Sequence, residues 1–207
     1  MMRSPAIRLR YACSDAHRSA PIIHCPDETI MSDTVRQTPR YDLPTRLFHW
    51  CTVVLIAVQF ALGWTMPEAD AMTSPLGLML LHVDLGVLLL LVAVPRLVWS
   101  GARRKVPAVR QHPALAFIAS ATHKLLYASL VAVPLLGWLN ANGRGWTVGL
   151  AGWIPLPALA TPHSLGASIG ELHSAWATAL VILIGLHACA ALAHRFVFKD
   201  DVLERMI

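Results

Sequence analysis

The chain has 207 residues, of which 56% are hydrophobic and only 14% charged, with a formal net charge of +5. A typical globular chain has roughly 45–50% apolar and 25% charged residues. That deficit of charge excludes a soluble single-core protein and a disordered chain, and it argues against nucleic acid as a partner despite the basic balance. Ten histidines and seven tryptophans sit in this apolar background. So many imidazoles in a membrane-like composition require an explanation.

The first forty residues differ from the rest. Arg3, Arg8, Arg10 and Arg18 mix with Pro, Ser and His, and no apolar run is long enough for a signal-peptide core. We read residues 1–40 as a disordered N-terminal tail and 41–207 as the membrane domain. Met31 opens a stretch that reads as a natural start, so residues 1–30 are either a tail or an over-extended beginning. His17 and His24 belong to this leader. Cys13 and Cys25 lie there too, while Cys51 and Cys189 lie in apolar runs; no Cys-x-x-Cys-His occurs, which excludes covalent haem attachment.

A membrane-spanning helix needs about 20 predominantly apolar residues. Four windows qualify in chain order: Leu47–Met66, Leu76–Ser100, Ala114–Leu139 and Gly170–Phe198. The predicted fold is all-α, an integral membrane four-helix bundle. Pro95 and Pro134 fall inside the second and third windows, where neighbouring helices and local adjustments re-satisfy the freed backbone groups. Lys and Arg cluster before the first window (Arg36, Arg40, Arg46), between the second and third (Arg103, Arg104, Lys105, Arg110) and after the fourth (Arg195, Lys199, Arg205). The first connection has no Lys or Arg, only Glu68 and Asp70, and the third has only Arg144. By the positive-inside rule both termini are cytoplasmic.

Ionisable residues inside membrane helices mark function by default. His49 lies near the cytoplasmic start of the outward first helix, and His82 near the outer start of the inward second. On the inward fourth helix, His173 and His187 are fourteen residues apart, nearly four turns and about 21 Å. Depth therefore pairs His82 with His173 in the outer leaflet and His49 with His187 in the inner. A lone histidine in an apolar helix is more often a hydrogen-bonded core residue, so the arrangement in depth carries the argument. Two facing imidazoles suit the axial positions of a haem. Zinc normally takes four ligands, and a proton relay needs a continuous chain of imidazoles. Metal ligands are thus expected at His49, His82, His173 and His187.

Arg96 is fourteen residues after His82, on nearly the same face at cytoplasmic depth. It reads either as the partner of a haem propionate or as a residue snorkelling to the interface. His123 and His194 are expected to face headgroups or propionates, and His112 and His163 to lie in loops. Gly137 and Ser129 are small enough to let helices approach closely. The thirty-residue connection from Asn140 to Ile169 reads either as an amphipathic lid lying on the membrane or as a lid covering the outer pair. Arg144 is its candidate catalytic group, a cation placed to steer a small anion.

The stretches RYDLPTRLFHW, LLHVDLG, THKLLYASLVAVPLLGW and NGRGW, and above all ELHSAWATALV followed by LIGLHACAALAHRFVFKDDVLERMI, resemble the bacterial cytochrome b561 family across about residues 40–207. These are small di-haem cytochromes b of the inner membrane. Carried over position by position, the family's ligands fall on His49, His82, His173 and His187. The resemblance implies two b-type haems, electron exchange with the ubiquinone pool, and, as in some members, oxidation of superoxide at the periplasmic face. An alternative is a cytochrome b subunit serving a larger respiratory complex such as a hydrogenase or formate dehydrogenase. Mostly apolar outer loops favour the stand-alone enzyme. The sequence specifies neither a homodimer nor a partner subunit, although either is compatible with it.

Overall fold

The computed structural model describes residues 40–68, 74–103, 112–150, 153–162 and 168–207. The expected N-terminal tail lies outside the described residues, as do Asp70, Arg104, Lys105, Arg110 and His163. Four long helices make up the structure: α1 (Leu43–Thr65), α2 (Leu78–Ala102), α3 (Pro113–Gly143) and α4 (Ser168–Ala193). All four are long and apolar enough to cross a membrane. Large apolar side chains such as Val54, Val98, Phe117 and Ile182 are exposed on the outer surface of these helices.

Helix ends follow local chemistry. Both α1 and α3 begin with proline in the first turn, where the missing N–H would be unpaired in any case. That is why α1 starts at Leu43, four residues before the apolar window. His112 is the N-cap of α3, its Nδ1 accepting from the Ala114 N–H at 3.3 Å, so it belongs to the helix boundary and not to a loop. At the other end of α3, Trp146 N–H donates to the Ala141 carbonyl and Gly145 N–H to that of Asn142, both at 2.9 Å. This pair of bonds is a Schellman closure, and Gly145 at φ 84° supplies its left-handed residue. Beyond Ala193, α4 continues as a π-helical turn, His194–Phe198, that ends on Lys199 with φ 52°.

The connection after α3 departs from the expected featureless lid. It contains a two-stranded antiparallel hairpin, β1 (Gly149–Leu150) and β2 (Ile154–Pro155). Val148, 1% exposed, plugs the hairpin into a cluster with Val87 of α2 and Ala141 of α3. Asn142 staples the turn, with its Nδ2 donating to the Trp146 carbonyl at 3.0 Å and its Oδ1 accepting from the Leu159 N–H at 2.8 Å. The buried apolar residues of α2 and the polar pair of Asn142 thus anchor a loop that composition alone leaves unstructured.

Within the bundle α1 packs on α2, α2 on α3, and α3 on α4. Leu89 and Ala93 of α2 meet Leu130 of α3 in the central core, joined by Leu55, Ile56 and Tyr127. Trp176 of α4 donates from Nε1 to the buried Ser129 hydroxyl of α3 at 3.1 Å, the close approach that the small residue permits. Among the described residues no Cα of α4 comes within 8 Å of a Cα of α1 or α2. The start of α1 meets the C-terminal segment at one end of the bundle, where Tyr41 N–H donates to the Arg205 carbonyl at 3.0 Å and Trp50 Nε1 to the Met206 carbonyl at 3.1 Å. We call this the basic end and its opposite the hairpin end.

Candidate functional site

Side chains bridge the separation between α4 and the α1–α2 pair at two depths. Near the hairpin end, His82 on the second turn of α2 faces His173 on the second turn of α4, with ring centroids 6.2 Å apart and planes at 88°. Near the basic end, His49 of α1 faces His187 of α4, with centroids 6.5 Å apart and planes at 69°. Two imidazoles that share one metal from opposite sides through bonds of about 2.0 Å have centroids about 6.2 Å apart, since each ring nitrogen lies about 1.1 Å from its centroid. Both pairs match that span. No group of three or more His, Cys, Asp or Glu assembles into a metal site among the described residues, so a tetrahedral zinc centre is not formed. The donor set fits bis-imidazole ligation of haem.

The four rings differ in how their second nitrogens are served. Nδ1 of His173 donates to the Val133 carbonyl of α3 at 3.0 Å, which fixes the tautomer and leaves Nε2 with a lone pair. A metal-bound histidine needs such an acceptor for its other N–H. Gly137 makes the arrangement possible, because a Cβ there would lie 3.1 Å from Cε1 and 3.3 Å from Nδ1 of His173. His82 has no counterpart; its buried Nδ1 lacks a hydrogen-bond partner. His187 carries His123 edge-on at 5.2 Å.

Arg96 does reach the inner pair. Its Nη2 donates to Nδ1 of His49 at 3.1 Å, and its guanidinium lies 5.4 Å from the Tyr127 ring centroid. The guanidinium is held against a ring inside the bundle and does not simply snorkel to the interface. Because arginine only donates, this geometry leaves the ring proton of neutral His49 on Nε2. Ligation through Nε2 requires the His49 Nδ1 to carry the proton instead.

Among the remaining histidines, His123 is not directed to headgroups alone. Its Nδ1–H donates to the Ala119 carbonyl at 2.7 Å and its ring lies against His187. His194 is tied by Nδ1 to Oδ2 of Asp200 at 2.7 Å, away from the ring pairs. Arg144 closes α3 at the hairpin end, with its guanidinium 5.7 Å from the Trp146 ring centroid. Sequence reasoning missed the Val133 carbonyl, which no side-chain pattern reveals, and Gln59 of α1, whose Nε2 donates to the His82 carbonyl at 3.0 Å. A single amide in an apolar helix was the available signal for Gln59, since polar side chains in membrane helices bond across helices.

Comparison with known proteins agrees with this architecture. Residues 40–207 match the family described as prokaryotic cytochrome b561. The chain is 32% identical over 173 residues to cytochrome b561 homolog 2 of Escherichia coli (strain K12), covering 81% of this chain and 91% of the relative. It is 30% identical over 179 residues to cytochrome b562 of Cereibacter sphaeroides, covering 83% and 97%. It is 26% identical over 166 residues to a protein of Yersinia pestis named probable superoxide oxidase CybB, covering 77% and 90%. Four membrane-length helices, facing imidazoles and a match across the whole described domain lead to one assignment: this chain belongs to the prokaryotic cytochrome b561 family, the b-type membrane cytochromes of the bacterial inner membrane.

Proposed function

We propose that the protein moves single electrons across the inner membrane, oxidising superoxide at the hairpin face and reducing ubiquinone. The observation that supports this most is the presence of two imidazole pairs at opposite ends of the bundle, each at the span of a shared metal. His82 with His173, and His49 with His187, would each hold one haem b. When bound, the haem would supply a one-electron iron couple suited to electron transfer. With the start of α1 and the C-terminal Arg205 and Met206 meeting at the basic end, the positive-inside rule makes that end cytoplasmic and the hairpin end periplasmic.

Each part of the chain then has a task. The hairpin, seated through Val148 against Val87, covers the outer part of α2 next to His82. Arg144 at the closing turn of α3 provides positive charge where a small anion arrives, and charge of this kind raises the encounter rate. The Val133 carbonyl orients His173, and the Arg96 guanidinium serves a propionate at the inner pair. In balance, two superoxide anions lose one electron each and leave as dioxygen, while one ubiquinone takes up two electrons and two protons to become ubiquinol.

The test is purified protein in vesicles loaded with ubiquinone, mixed with superoxide. Cytochrome reduction within the mixing time, followed by ubiquinol formation, is the expected result. Arg144→Glu should slow that reduction severalfold at low salt, with the absorption spectrum unchanged. No reduction by superoxide, together with co-purification of a soluble redox protein, would instead point to a subunit role.

A further inference from the structure

The outer pair is served unequally, and the missing acceptor has a candidate. His173 hands its Nδ1–H to a backbone carbonyl, whereas His82 Nδ1 is buried and unpartnered. Among the described residues, the buried side-chain atoms without a hydrogen-bond partner include one acceptor oxygen, Oε1 of Gln59; the rest, apart from His82 Nδ1, are N–H groups of arginine and tryptophan. The other end of the same amide already grips the His82 turn, with Nε2 donating to the His82 carbonyl at 3.0 Å.

Two glycines shape the seam between α1 and α2 around this contact. At Gly86, one turn after His82, a Cβ would lie 3.1 Å from the Gln59 Nε2, so the bare backbone there admits the amide. At Gly63, one turn after Gln59 on the same face of α1, a Cβ would meet Cε1 of His82 at 3.6 Å and Nδ1 at 3.9 Å. The Nδ1 edge of His82 therefore faces α1 within a turn of the amide. An unpartnered acceptor and an unpartnered ring nitrogen share one buried seam, and leaving both unmet is costly.

We propose that Gln59 is the positioning residue of the outer pair, clamping the His82 carbonyl through Nε2 and accepting the His82 Nδ1–H on Oε1, directly or across one water. This rests on the reading of His82 as a haem ligand. A ligand that donates to an acceptor is more basic, which favours the oxidised metal. Gln59 thereby holds the outer site at a lower potential than a bare imidazole would.

The experiment is a redox titration of Gln59→Leu in the haem-loaded protein, read at the two bands of the split α-absorption. At a fixed ambient potential the reduced-to-oxidised ratio of the outer haem should rise about tenfold, or about 59 mV for a one-electron couple, with the inner haem unmoved. Gln59→Glu keeps an acceptor oxygen and should stay at or below the wild-type ratio. Equal upward shifts in Leu and Glu variants would show a packing effect and overturn the proposal, as would an unchanged ratio in Gln59→Leu. If that variant does not accumulate, Gly86→Ala, which displaces the amide without removing it, should shift the ratio in the same direction, and no shift overturns the proposal. Absence of an outer haem from the unsubstituted protein would instead overturn the two-haem reading beneath it.

Discussion

Gly137 offers a sharp test of how the outer pair is built. Its missing side chain is the space in which the His173 ring lies, and an added Cβ would stand 3.1 Å from Cε1, 3.3 Å from Nδ1 and 3.8 Å from Nε2. Ordinary van der Waals contact begins near 3.5 Å, so the ring must retreat by a few tenths of an ångström. It cannot retreat freely, because Nδ1 is bonded to the Val133 carbonyl at 3.0 Å, one turn before Gly137 on the same helix. Overpacking of this kind costs about 1–3 kcal/mol, and a strained or lost hydrogen bond adds about 1 kcal/mol. Together these weaken retention at the outer pair by at least tenfold. Gly137→Ala should therefore purify with close to one haem per chain by pyridine haemochrome, keeping the inner signal and losing or shifting the outer one. Gly63→Ala is the matched control, since its Cβ meets the partner ring of the same pair at an ordinary 3.6 Å. It should retain both haems, and so should Gly185→Ala, where nothing lies within 4 Å. If Gly137→Ala keeps two haems with unaltered spectra, the close seat of His173 on α3 is not what positions the ligand.

Other expectations concern stability. Ser129→Ala removes the part-buried bond from Trp176 Nε1, a loss of about 0.5–1.5 kcal/mol, and should lower the midpoint of thermal unfolding in detergent while leaving the haem count unchanged. Asp42 accepts from Thr45 at 2.6 Å and from Trp99 Nε1 at 2.8 Å. The Thr45 bond foremost, against the opposing effect of burial that comes next in size, and then Trp99 and the nearby Arg103 charge hold its carboxyl below the usual carboxylate range. A depressed folded value means that this stabilisation is present above the ordinary carboxylate range and is lost as pH falls through the lower, folded value. Unfolding midpoints of the wild type and Asp42→Asn should therefore converge in strong acid and separate at neutral pH. His194→Ala removes the contacts with Asp200 and the Phe198 ring and should leave both haem spectra intact.

Much of this geometry is legible in the sequence because membrane helices obey few rules. Length and apolarity locate four spans, and alternating direction along the chain makes depth a simple function of residue number. Which imidazoles meet follows from that function: His82 and His173 are both in the second turn of helices entering from the hairpin end, while His49 and His187 sit near the basic end. What is hidden depends on atoms without side-chain signatures. The Val133 carbonyl that orients His173 is backbone, and its availability depends on the absence of a Cβ at Gly137. A glycine noted only for close helix approach thus proves to be the seat of a ring. Arg96 shows the same limit. Its face and depth are readable, yet its contact with His49 Nδ1 depends on side-chain reach. The hairpin escaped notice because Gly149 and Leu150 form too short a strand to register as alternation, and its anchor is the amide of Asn142. His123 was displaced from the headgroups by its bond to Ala119 and its place beside His187.

The central claim is that four histidines hold two haems, one pair at each end. Its most direct measurement is the haem-to-protein ratio and dithionite-reduced spectrum of the wild type beside His173→Ala and His187→Ala. The account predicts two b-type haems per chain, with each variant retaining one and the two variants losing different components of the α-band. A single haem in the wild type, no b-type spectrum, or loss of the same component in both variants would contradict it.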